Sequence, residues 1–346
     1  MSDTPTDGRW QPFHRTFLWP GWLVTALFVL AFSAGLSVPP TVQYVPLAVS
    51  VVLLGLPHGA VDHFAVSWSR GTAPTLDAVG RVAGLYLALG ISYIVMWFIS
   101  PVASAVLFIA LTWFHWGQGD LYALVAVGSD DHLRTPGQRA LTVLVRGGLP
   151  MLVPLLSFPD WYRRVVADLV GLFSPGGVSS LAPVFAPRVR DGLMVGYGLA
   201  LVGSLALGYL RAGGRRDLSW ALDAGETLLL VAYFTLVPPV LAVGVYFCFW
   251  HSLRHVGRLV AVDDTAAARL DSGDVAGALG RFARVATPLT VAALVLLAGF
   301  FLLVPRSPGD FTELVAVYLV FIAVVTLPHV VVVSVMDREQ RVWRSG

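Results

Sequence analysis

The stretch Tyr246 to Arg258 reads YFCFWHSLRHVGR and carries two histidines, His251 and His255, four residues apart. On a helix this spacing stacks both imidazoles on one face, one turn from each other. Histidine is the commonest metal-binding side chain and titrates near neutrality. Two readings of the stretch stand side by side. It is either half of a metal centre inside an apolar helix, or a helix end anchored at a membrane surface by Trp250, His251, Arg254 and Arg258.

Six of the eight histidines lie in or at the ends of apolar runs. They are His58 and His63 in GLPHGAVDHF, His115 in TWFHWGQGD, His251 and His255, and His329 in TLPHVVV. His14 and His132 fall in polar stretches and read as surface residues. Imidazoles in lipid-spanning segments are rare and usually face the bundle interior for a functional reason.

The elements that must position them are membrane helices. Of 346 residues 56% are hydrophobic and 13% charged, and the mean hydropathy is +0.74. A soluble domain would be about a quarter charged. The reading is an all-α polytopic bundle forming a single integral-membrane domain over 1–346, with polar termini at 1–15 and 337–346. About ten segments, within a range of 8–10, are expected at 16–37, 43–67, 79–99, 101–125, 139–157, 192–211, 223–237, 239–260, 284–305 and 314–336. Pro238–Pro239 is a tight turn or a kink between the seventh and eighth. The loop 159–190 is expected to hold a helix lying at the interface, and 261–282 a weakly helical surface segment. The first apolar run lacks a cleavage-like end, so no signal peptide is expected.

All 23 basic residues are arginine. Without lysine no retinylidene Schiff base can form, which excludes a rhodopsin-type pigment. The net charge of +2 does not suggest a nucleic-acid partner. The single cysteine, Cys248, excludes an intrachain disulfide. With the N-terminus inside, Arg70, Arg81, Arg134, Arg139, Arg211, Arg215, Arg216, Arg258, Arg269, Arg281, Arg284, Arg338, Arg341 and Arg344 fall on cytoplasmic connections. Both termini are therefore expected in the cytoplasm of a multi-pass cell-membrane protein. Arg163, Arg164, Arg188 and Arg190, in the long outer loop, run against the pattern.

Depth then links the histidines. Counted from the outer helix end, His58, His115, His251, His255 and His329 lie about 12–16 residues in, a slab roughly 18–24 Å deep at ~1.5 Å per residue. They belong to the second, fourth, eighth and tenth segments, which all run the same way. One polyhistidine site near the cytoplasmic face is the economical reading. Four neutral imidazoles with open positions suit ferrous iron. Zinc more often takes three and a water, and copper also accepts imidazole. Asp62, four residues after His58, and Asp120, five after His115, are candidate acceptors for a ligand's second N–H. His63 and His329 are candidate extra ligands or hydrogen-bond partners. The aromatic residues Trp113, Phe114, Trp116, Tyr233, Phe234, Tyr246, Phe247, Phe249 and Trp250 are candidates to line a tunnel for an apolar polyene from the bilayer. The same residues would also suit a membrane interface.

The blocks GLPHGAVDH, FHWGQGD, YFCFWHSLRH and TLPH resemble, in order and over nearly the whole chain, those of the Brp/Blh family of membrane-bound beta-carotene 15,15'-dioxygenases. The resemblance implies cleavage of the central double bond by O2 at non-haem Fe(II), giving two molecules of all-trans-retinal. It implies His58, His115, His251 and His255 as metal ligands, and no catalytic residue beyond the metal centre. His329, Asp62 and Asp120 match further positions of the family's motifs. Three other classes compete. A haem protein needs two histidines per haem. A carotenoid- or retinal-binding protein or transporter would leave the polyene intact. A zinc peptidase needs a motif such as HExxH, which none of the six histidines has, and Glu226 is expected near an outer helix end.

Overall fold

The computed structural model describes residues 10–212 and 218–344. Arg215, Arg216 and the outermost parts of both polar termini lie outside the described residues. Among those described, helices alternate with short connections and no strand occurs. Proline and glycine punctuate them. Pro40, Pro101, Pro136, Pro159 and Pro239 open helices within the first turn, where a missing N–H costs nothing. Thr75, Thr135, Asp274 and Asp310 cap helix starts by accepting a backbone N–H.

In chain order the helices are α1 (His14–Ser33), α2 (Pro40–Gly59), α3 (Asp62–Ser69), α4 (Leu76–Ile99), α5 (Pro101–Ala126) and α6 (Pro136–Ser157). There follow α7 (Pro159–Gly171), α8 (Pro187–Ala212), α9 (Leu218–Leu236), α10 (239–262), α11 (Asp264–Asp271), α12 (Val275–Leu303) and α13 (Phe311–Glu339). Seven of these, α1, α2, α4, α6, α8, α12 and α13, are long and apolar enough to cross a membrane. The three further rods α5, α9 and α10 carry His115, Asp120, Asp223, Glu226, His251, Arg254 and His255. The chain is a helical membrane bundle whose interior holds these seven side chains. Pro238, extended at ψ 138°, separates α9 from α10 as a turn rather than a kink.

Two departures from regular helix bear on the site. α2 widens to π-helical turns over Val51–Gly55 and stops at Gly59, and α3 starts afresh at Asp62. α10 is π-helical over Phe247–Ser252, which includes His251. Such bulges insert one extra residue, shift the faces that follow, and occur often at functional sites.

Among the described helices α5 and α6 pack most extensively. A Cβ on Gly117 would overlap the Val143 backbone, and one on Gly147 would overlap the Trp113 carbonyl. These reciprocal contacts let the backbones touch, as small residues do in membrane helix pairs. Gly147→Ala is expected to push α6 off α5 and to cost about 1–3 kcal/mol, the usual penalty of overpacking. A lowered thermal midpoint in detergent would show it, and an unchanged midpoint would refute the contact.

Candidate metal centre

His58 from α2, His115 from α5, His251 and His255 from α10 and His329 from α13 converge in the interior. Ring centroids lie 4.7 Å apart for His115–His251 and for His115–His329. They lie 5.1 Å apart for His58–His329 and 5.2 Å for His255–His329. His58 is 5.5 Å from both His251 and His255. All five are buried. Nitrogens of His58, His115 and His329 fall within 4.8 Å of one another, and Asp62, His255 and His329 form a second such group.

Hydrogen bonds at Nδ1 turn several of these rings inward. Nδ1–H of His58 donates to the Leu54 carbonyl at 3.0 Å. Nδ1–H of His329 donates to Asp62 Oδ2 at 2.7 Å, and the Tyr86 hydroxyl donates to the same oxygen at 2.5 Å. His115 Nδ1 faces Gln118 Oε1 at 3.5 Å. Gln118 is itself held by its amide donating to Asp337 at 2.8 Å and to Ser334 at 3.1 Å. A ring whose Nδ1 donates presents a bare lone pair at Nε2. The Nε2 atoms of His115, His251, His255 and His329 are all buried without a hydrogen-bond partner. Leaving one buried polar atom unpartnered costs about 1–3 kcal/mol. Four in one place form a donor set that could hold a cation, and neutral nitrogen donors fixed by carbonyl and carboxylate partners suit a transition metal.

The structure departs from the sequence-based expectations in several places. Asp62 does not serve His58, because the break at Ala60–Val61 resets the helix between them; it holds His329 instead. Asp120 points away from His115. It accepts from Trp250 Nε1 at 2.9 Å and faces Arg146 and Arg254, each at 3.5 Å. His63 makes its ring contact with Phe64 and shares none with the five clustered histidines. His132 is not a surface residue: it is fully buried, paired through Nε2 with Asp223 at 2.9 Å and through Nδ1 with Ser219 at 2.8 Å.

Asp120 and His132 belong to a buried ionic network behind α10. Arg146 pairs with Asp223 and Glu226, each at 2.9 Å, and Arg254 pairs with Glu226 at 2.5 Å. Arg254 also stacks over Trp250, its guanidinium carbon 3.9 Å from the ring centre. Glu226 is thus an interior residue, not one at an outer helix end. The network grips the back of the helix whose front carries His251 and His255.

A cavity of about 630 Å³ adjoins the centre and is walled almost wholly by apolar side chains. That volume lies within the ~300–1,000 Å³ typical of small-molecule sites. His58, His115, His251 and His329 form part of its wall. Of the nine aromatic tunnel candidates only Trp116 and Phe247 line it. Tyr233, Phe234, Tyr246 and Trp250 pack in the core, Trp113 donates to the Leu144 carbonyl, and Phe114 and Phe249 face outward. The wall is completed by residues with no local signature, among them Phe108, Met151, Phe321 and Tyr86. At the end covered by α7, Asp168 borders the cavity, its carboxyl pushed up by burial and by nearby Asp310.

The family model for beta-carotene 15,15'-dioxygenase matches residues 49–337, which span all five clustered histidines. The chain belongs to the beta-carotene 15,15'-dioxygenase family. It is similar to a probable beta-carotene 15,15'-dioxygenase Blh of Halobacterium salinarum, 49% identical over 325 residues, 93% of this chain and 92% of the relative. It is also similar to a probable beta-carotene 15,15'-dioxygenase Brp of that species, 37% identical over 332 residues, covering 92% and 90%. A beta-carotene 15,15'-dioxygenase of an uncultured marine bacterium is 26% identical over 210 residues, 59% of this chain and 65% of the relative. No solved structure matches. Family membership and the histidine cluster agree on a membrane enzyme with a metal site.

Proposed function

We propose that the chain cleaves the central 15,15' double bond of beta-carotene with O2 to give two molecules of all-trans-retinal, at Fe(II) held by His58, His115, His251, His255 and His329. The observation that carries this reading is the set of four unpartnered Nε2 atoms beside an apolar cavity. The family and its relatives' names support the substrate and reaction. A bis-histidine haem would leave the remaining nitrogens without partners.

Bound Fe(II) would supply a reduced centre able to activate O2 towards an alkene. The side chains do the rest. The reaction C40H56 + O2 → 2 C20H28O places both oxygen atoms in the aldehydes. It consumes no water and no reductant and needs no protein base. Trp116, 5.7 Å from His251, and Phe247, 5.6 Å from His58, put flat apolar faces beside the centre. They orient the polyene and keep water away, so that positioning selects the bond. Asp62 keeps the His329 proton on Nδ1, leaving Nε2 free to coordinate. Arginine placement supports a cell-membrane protein with both termini cytoplasmic, and we read the chain as one membrane domain.

Asp62→Asn removes the carboxylate acceptor of His329, and changes of that kind cost ~10–100-fold in metal affinity. Competition with a chromophoric chelator measures it, and wild-type affinity would separate Asp62 from the centre. The function itself is tested by expression in carotene-producing cells. Loss of orange colour with matching retinal is expected. Carotenoid retained intact on the purified protein in air would instead favour a binding role.

A further inference from the structure

The cavity wall contains residues that are also exposed on the outside of the bundle. Ala83 and Leu87 on α4 and Leu289, Ala292 and Leu296 on α12 border the cavity, yet each is exposed. Leu87 is 65% exposed and Leu296 63%. A side chain that borders an internal space and also the exterior marks where that space opens. At the α7 end the contrast is sharp: Tyr44, Val166 and Leu169 border the cavity but are only 3–6% exposed.

Helix packing explains the opening. α4 and α12 both lean on α13 but make no extended contact with each other. Between them Leu319, Ile322 and Val325 of α13, all half-buried, form the floor of a channel that borders the same cavity. Leu87 sits midway along the 24-residue α4, and Ala292 and Leu296 lie more than two turns beyond Arg284 on α12. At that depth the outside is hydrocarbon, not water. The wall there is apolar, and it leads to Tyr86, Asp62 and His329.

We infer that the gap between α4 and α12 is a lateral portal through which the polyene enters from the bilayer. The occupant is a long apolar chain dissolved in lipid, since neither a polar ligand nor an aqueous one would meet a matching surface. This inference rests on the proposed function for the identity of the polyene. Small side chains at Ala83 and Ala292 keep the gap open.

The test uses the full-length metal-loaded protein in lipid vesicles carrying beta-carotene. Ala83→Trp and Ala292→Trp are made singly and together, with Ala298→Trp as a lipid-facing control outside the cavity. Pigment uptake is followed without oxygen by its absorbance shift, then retinal formation is followed in air. The double variant is expected to take up pigment at least about tenfold more slowly, to reach the same final amount, and to lose initial turnover in proportion. Its metal content should match the wild type, and Ala298→Trp should match it throughout. Uptake by the double variant at the wild-type rate would overturn the portal. So would an unchanged rate with less pigment bound, which would make these residues cavity wall rather than gate. If the wild type forms no retinal, the proposed function fails, while the anaerobic uptake rates still decide the portal.

Discussion

Replacing His115 by alanine is expected to strip the metal from the protein and reduce retinal formation to background, while the protein still inserts and remains folded. His115 touches His251 and His329, each at 4.7 Å, so its loss opens the centre between α10 and α13. The other nitrogens stay in place, but the set becomes incomplete. Weakening by more than the ~100-fold that altering a ligand's supporting partner costs is expected. The void left behind costs about 2–4 kcal/mol of stability in the manner of other large-to-small core changes. The glycine contacts of α5 with α6, at Trp113 and Gly117, lie two residues to either side of His115 on the opposite face and continue to hold the helix. His63→Ala should retain metal, because that ring stands outside the cluster. Metal analysis on both purified variants decides the point. Wild-type metal content in His115→Ala would remove His115 from the centre.

Arg146→Met is expected to do the reverse, lowering stability sharply while leaving metal bound per folded molecule. Arg146 is 1% exposed and holds three carboxylates, those of Asp120, Asp223 and Glu226. Its removal leaves them to Arg254 and to the N–H donors of His132, Trp250 and Trp22. Removing one partner of a buried ionic group costs about 3–5 kcal/mol, because the charge left behind is neither solvated nor paired. A fall in the thermal midpoint in detergent, and in the yield of folded protein, should follow. Adding Glu226→Gln to Arg146→Met removes one of the stranded charges and should recover part of the loss. Were the double variant less stable than Arg146→Met alone, the network would not be limited by uncompensated negative charge.

The helical bundle and the depth shared by the histidines that cluster were legible in the residues for simple reasons. Apolar runs report span length, and the Pro and Gly that open and close helices sit in the chain itself. The shared depth of His58, His115, His251, His255 and His329 followed from counting along helices expected to run the same way. What stayed hidden depends on which rods are neighbours and how they are turned. The pairing of Asp62 with His329 joins α3 to α13 and requires the break at Ala60–Val61. Tyr86 reaches Asp62 from α4 with no motif around it. His132 read as polar surface because its partners, Ser219 and Asp223, are about ninety residues away in sequence. The aromatic residues misled for a related reason: their number shows that flat apolar faces abound, but only packing decides which of them border the cavity.

The most direct test is to titrate metal-free purified protein with Fe(II) without oxygen, then add beta-carotene and air, and to count iron bound and retinal formed. The account predicts retinal that rises in step with iron and reaches two molecules for each beta-carotene consumed. Retinal formed equally without iron, or beta-carotene left intact at full iron occupancy, would contradict it.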